Sequence, residues 1–186
     1  MNIIIFGPPG AGKGTQAKNL AKKFNNFQIS TGDMLREEIN KDTEIGKIII
    51  NNMNDGEFVD DSIVNNLLEK IIFDKKKMNK LIFDGYPRTI NQAKNLDILL
   101  NKSNQKIGYI FFLNVKKDSI MKRIKKRKIL EKRSDDDVNT ILKRYDTYME
   151  ITKPVLDYYS KNQNFYEVDG SMEINDITQK IEEIIS

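Results

Sequence analysis

Apolar residues fall along this chain in two rhythms. Asn2 to Phe6 is a short, mostly β-branched run closed by Gly7, Pro8, Pro9 and Gly10, which predicts a buried strand entering a tight loop. From Lys13 to Phe24 the apolar positions Ala17, Leu20, Ala21 and Phe24 are spaced by three and four, the mark of a helix with one buried face. Bursts like the first return at Phe27–Ser30, Lys80–Asp84, Ile107–Val115 and Phe165–Val168, with helical stretches between them. Alternating strand and helix predicts an α/β fold with a parallel sheet covered on both faces.

Two later helices have legible core stripes. Val138, Ile141, Leu142, Tyr145, Tyr148 and Met149 form one, and Ile174, Ile177, Ile181, Ile184 and Ile185 the other. Ser134, followed by Asp135, Asp136 and Asp137, reads as an N-cap with acids in the first turn. Pro154 is expected to kink or end the helix that follows. Lys122 to Lys132 reads KRIKKRKILEK, by default a solvated helix face. No internal repeat, low-complexity tract or linker is visible.

Composition narrows the chemistry. A chain of 186 residues, 39% hydrophobic, has the length of one domain with an ordinary core. Cys, His and Trp are absent, which excludes disulfides, Cys/His zinc sites, thiol nucleophiles and Ser-His-Asp triads. No structural zinc is expected. Thirty-one Lys+Arg against 27 Asp+Glu leave a mild +4, and the many Lys, Asn and Ile residues read as coding bias rather than a nucleic-acid surface. The first residues lack a secretion signal, and no apolar run approaches the roughly 20 residues that span a bilayer. The expectation is a cytoplasmic protein with no membrane and no nucleic-acid partner.

The chemistry begins at Gly7 to Thr15, which reads GPPGAGKGT between a predicted strand and a predicted helix. In that context glycines let backbone N–H groups converge on phosphate oxygens at a helix N-terminus, and Lys13 adds a full positive charge. The match to G-x-x-x-x-G-K-[ST] fails at one place. Gly14 stands where a magnesium-binding hydroxyl is usual, and Thr15 comes one residue later. Metal contact is therefore expected through water.

Residues 7 to 16, GPPGAGKGTQ, resemble the opening of the adenylate kinases and their nucleoside monophosphate kinase relatives. Residues 29 to 36, ISTGDMLR, resemble the first half of that family's monophosphate-binding region, and residues 81 to 93, LIFDGYPRTINQA, match its D-G-[FY]-P-R-T-x-x-Q-A signature. Arg123 and Arg127, then Arg133 in R-S-D-D, then Arg144 eleven residues on, fall where the family places its lid arginines. Residues 168 to 171, VDGS, resemble its VDGT segment, with Ser for Thr. The space between Arg127 and Arg133 leaves no room for a long lid, so the short-lid type is the closer resemblance.

The resemblance implies a P-loop three-layer fold with a five-stranded parallel sheet. Its core would be residues 1–29, 60–115 and 134–186, with a helical monophosphate-binding insertion at 30–59 and a short lid at 116–133. It also implies reversible, magnesium-dependent transfer of a phosphoryl group from ATP to AMP, giving two ADP, by a monomer. Gly10, Ala11, Gly12, Lys13, Gly14, Thr15, Arg123, Arg127 and Met172 would bind ATP. Thr31, Arg36, Met53, Val59, Gly85, Arg88, Gln92, Arg133 and Arg144 would bind AMP. Lys13, Arg88, Arg123, Arg133 and Arg144 would be catalytic, and Asp84 would hold Mg²⁺ through water. Thr31 could alternatively cap a helix, and Met53 and Val59 could be core.

Such transfer needs no histidine. A phosphate monoester with a second pKa near 6 is already ionised at neutral pH, and the enzyme's task is to position groups and neutralise charge. A UMP/CMP kinase of the same family is the nearest alternative. That group replaces the Thr at position 31 by a smaller residue and reads PRN where this chain has Pro87, Arg88 and Thr89. A GTPase-like switch lacks its N-K-x-D segment here, and a non-catalytic nucleic-acid binder would rest on the basic run alone.

Overall fold

The computed structural model describes residues 1–131 and 138–186, without the side chains of 125–131 and 138. Strands β1 (Asn2–Phe6), β2 (Phe27–Ser30), β3 (Leu81–Asp84), β4 (Ile107–Asn114) and β5 (Phe165–Asp169) form one sheet in the order β2-β3-β1-β4-β5. Every pairing is parallel. The sequence expectation of a five-stranded parallel α/β sheet is met, with strand ends differing by a residue.

All five residues of the central strand β1 are buried. Because side chains alternate along a strand, Ile3 and Ile5 enter one core layer with Leu20, Ile82, Phe111 and Ile177, while Ile4 and Phe6 enter the other with Phe83, Leu96, Val155 and Tyr159. Helices α1 (Lys13–Phe24) and α9 (Ile174–Ile185) cover the first face. Helices α4 (Asp61–Ile72), α5 (Ile90–Lys102) and α8 (Lys153–Ser160) cover the second. The chain thus leaves β1 toward one face and β3 toward the opposite face. A crevice opens outside the carboxyl ends of these neighbouring strands, where open parallel sheets bind ligands.

Side-chain caps start most of the helices around that crevice. Ser30 accepts from Asp33 N at 3.3 Å for α2 (Thr31–Asn40), Thr43 from Gly46 N at 3.0 Å for α3 (Glu44–Asp55), and Thr89 from Gln92 N at 3.0 Å for α5. Thr31 is therefore not the cap of its helix; Ser30 is. Helix α1 differs. Its N-cap is Gly12 at φ 97°, with no side-chain cap and no acid in the first turn.

Pro154 neither ends nor breaks the helical run. Helix α6 (Lys117–Glu131) follows β4, and α7 (Val138–Thr147) passes into a π turn at Tyr148–Thr152 and then into α8, where Pro154 lies in the first turn. A proline brings no N–H to the ladder, and the wider turn before it absorbs that loss while the chain stays helical. The wider turn also shifts the stripe: Ile141 and Tyr148 are buried, but Met149 is exposed. Ile174, at the start of α9, is 54% exposed rather than core. The expected cap at Ser134 lies outside the described residues. Among the described residues, no helix is long and apolar enough to cross a membrane.

Helices α2 and α3 pack at Gly46, where a Cβ would stand 2.3 Å from the Glu38 carbonyl oxygen. Gly46→Ala should cost about 1–3 kcal/mol through overpacking against backbone. That is a fall of roughly 2–10 °C in the thermal midpoint, and an unchanged midpoint would contradict this packing.

Candidate active site

The loop from Gly7 to Gly12 joins β1 to α1 and turns through Gly10 (φ 82°) and Gly12 (φ 97°), backbone angles that favour glycine. With no side-chain cap, the first amides of α1 face the crevice as a site of partial positive charge. Lys13 donates through Nζ to the carbonyls of Gly7 (2.7 Å) and Pro8 (3.1 Å), which keeps the ammonium at the loop. A cleft lies beside it. Lys13, Arg88 and Arg144 all line this cleft with Gly7, Pro9, Phe58 and Gly85, and no carboxylate is among its described lining residues.

Each cation has a local reason for its place. Arg88 donates through Nε to the Gly85 carbonyl at 2.8 Å and lies over the Phe58 ring, 5.5 Å from its centroid. Arg144 runs past Gly56, where a Cβ would stand 2.9 Å from Arg144 Cγ. Gln92 holds the turn before α5: its Oε1 accepts from Arg88 N at 2.7 Å and its Nε2 donates to Asp61 Oδ1 at 2.6 Å. Thr89 closes the network on Asp61 Oδ2 at 2.7 Å. This leaves Gln92, 3% exposed, one amide hydrogen and one oxygen lone pair for any further partner.

Asp84 ends β3, level with Ile5 of β1 and Ser30 of β2. It is 8% exposed. One oxygen accepts from Gln28 Nε2 at 3.0 Å, and the same oxygen would be 3.2 Å from a Cβ at Gly14. The missing hydroxyl at position 14 thus has a steric counterpart. A single carboxylate, with no cluster of three or more metal-ligating side chains among the described residues, suits a magnesium ion that keeps most of its waters.

Other expected residues gather at the rims. Arg123 reaches the Ala11 carbonyl at 3.3 Å and the Met172 carbonyl at 3.5 Å, joining the phosphate loop to the segment after β5. In that segment, the Ser171 hydroxyl holds the Asp169 carboxyl below its ordinary range. Thr31 donates to the Gly85 carbonyl at 2.8 Å and is buried beside the Arg88 turn. Thr15 is exposed in the first turn of α1. Arg36 pairs with Asp33 at 2.5 Å on the first turn of α2 and does not line the cleft. Val59 is buried in the hydrophobic core, with Met53 packed against it. Arg133 and the Arg127 side chain lie outside the described residues.

Sequence reasoning missed Phe58, Gln28, Asp61 and Thr152, and placed Tyr148 in the core alone. Phe58 and Asp61 stand beside residues it had noticed, but only folding brings them to Arg88 and Gln92.

Comparison with known proteins agrees with this geometry. The family model described as Adenylate kinase matches residues 5–164. A protein named Adenylate kinase from Pelagibacter ubique is 48% identical over 211 aligned positions, covering 100% of this chain and 99% of that relative. The alignment is longer than this chain, so that relative has residues missing here. One of the same name from Azobacteroides pseudotrichonymphae is 41% identical over 186 positions, covering 100% of this chain and 97% of the relative. A third, from Archaeoglobus fulgidus, is 37% identical over 212 positions, covering 100% and 98%. With the phosphate loop, the cation-lined cleft and full-length relatives in agreement, this chain belongs to the adenylate kinase family.

Proposed function

We propose that this protein transfers a phosphoryl group reversibly from MgATP to AMP, giving two ADP by direct in-line transfer. One observation carries the reading: Lys13, Arg88 and Arg144, from three distant parts of the chain, line a single cleft at the uncapped start of α1. Like charges gathered in this way suit the joined phosphate tails of two nucleotides.

The acceptor phosphate is ionised at neutral pH, so its attack on the donor's terminal phosphorus needs no general base. Lys13 and the α1 amides bind the donor phosphates. Arg88, held against Phe58 and Gly85, grips the acceptor phosphate with its planar fork, and Arg144 neutralises charge on the moving group from the other wall. Asp84, oriented by Gln28, would hold the waters of a magnesium ion, which supplies further neutralising charge when bound.

In this assignment Gly10, Ala11, Gly12, Lys13, Gly14, Thr15, Arg123, Arg127 and Met172 form the ATP side. Thr31, Arg36, Met53, Val59, Gly85, Arg88, Gln92, Arg133 and Arg144 form the AMP side, Gln92 through its remaining amide capacity. Residues 30–59 and 116–133 serve as the insertion and short lid that close over the nucleotides and exclude water. The protein works as a monomer.

A coupled assay offering AMP, CMP, UMP and GMP with MgATP tests the substrate. AMP should turn over fastest, and faster turnover of CMP or UMP would replace the reading with pyrimidine kinase activity. Lys13→Met should cut kcat by at least two orders of magnitude at an unchanged melting midpoint, because the lost charge acts on the transferring group. Phe58→Ala should raise KM for AMP about two- to fivefold, the worth of one cation–π contact, while KM for ATP stays within about twofold.

A further inference from the structure

Two buried hydroxyls stand in the cleft wall. Tyr148 and Thr152, the first and last residues of the π turn, are 8% and 3% exposed, and both line the cleft with Lys13, Arg88 and Arg144. Neither Tyr148 Oη nor Thr152 Oγ1 has a hydrogen-bond partner in the protein among the described residues.

The rest of the chain shows how unusual this is. Helical threonines commonly turn the hydroxyl back to the carbonyl four residues earlier. Thr147 does so to Lys143 and Thr178 to Ile174, each at 2.9 Å, and Thr152 does not. The other buried tyrosines are satisfied: Tyr86 donates to Asn65 Oδ1 at 2.8 Å, and Tyr159 to Asp97 Oδ1 at 3.4 Å. A buried hydroxyl without a partner is costly, and a π turn is a local distortion often kept at functional sites. Here one distortion carries two such hydroxyls, four residues apart, into one cleft.

We propose, on the reading that this cleft seats phosphoryl groups, that the Tyr148 and Thr152 hydroxyls donate hydrogen bonds to the phosphoryl oxygens held between Lys13, Arg88 and Arg144. The chemistry is complementary. Phosphoryl oxygens are acceptors, and a hydroxyl can donate to them without adding a further charge to a wall that already carries three cations. Burial pushes the Tyr148 phenol up from its ordinary range, so it stays protonated and remains a donor. The π turn thereby positions the substrate as well as connecting α7 to α8.

The test compares the full chain with Tyr148→Phe, Thr152→Val and the double variant, measuring melting midpoints and steady-state kinetics with AMP and MgATP. Each single variant should keep a midpoint equal to or above wild type, since an unpartnered buried hydroxyl contributes no stability. Each should lose about tenfold or more in kcat/KM, the effect of one hydrogen bond to a charged group. Thr152→Ser, which keeps the hydroxyl, should recover most of the loss. Variants within twofold of an active wild type would overturn the proposal. So would a lowered midpoint with unchanged kcat/KM, which would make the hydroxyls anchors for structural water. A wild type that turns over no monophosphate would instead defeat the underlying reading of the cleft.

Discussion

The structure depends on one open helix end. The first amides of α1 have no side-chain cap and no acid beside them, whereas α2, α3 and α5 each begin with a capping hydroxyl. A glycine N-cap in place of a capping hydroxyl costs only a few tenths of a kcal/mol. It also leaves an arrangement of N–H groups that an anion can complete. Only a rigid scaffold can hold such an end in place. β1 supplies it by alternating its residues into both core layers, so the loop that follows starts from a strand buried along its whole length.

The second constraint is the gathering of positive charge. Lys13, Arg88 and Arg144 line one cleft, and neutral groups of the protein touch each of them. Carbonyls of Gly7 and Pro8 hold Lys13, the Phe58 face and the Gly85 carbonyl hold Arg88, and the close approach of Gly56 guides Arg144. The one nearby acid in the Gln92 network, Asp61, binds Gln92 and Thr89 rather than a cleft cation. Contacts from separate parts of the chain thus keep these side chains at the cleft.

Local departures from regular structure sit where the chemistry is. Gly14 replaces a hydroxyl and lies against Asp84, leaving the carboxylate to be oriented by Gln28 from β2. The π turn carries Tyr148 and Thr152, two buried side chains that line the cleft. Both departures bring polar atoms to the crevice between the ends of β1 and β3.

The sequence by itself determined the alternation of strands and helices, the phosphate loop, the DGYPR turn and the absence of imidazole and thiol chemistry, because each is written in neighbouring residues. Periodicity within a short window reports which face is buried, and a glycine-rich loop carries its backbone freedom wherever it is placed. Only the tertiary structure decided that Arg144 lines the same cleft as Lys13, that Phe58 lies under Arg88, that Gln28 orients Asp84, and that a hydrophobic stripe breaks at a π turn. Those relations join residues tens of positions apart, and they depend on strand order, crossover direction and a helical distortion that no local spacing encodes.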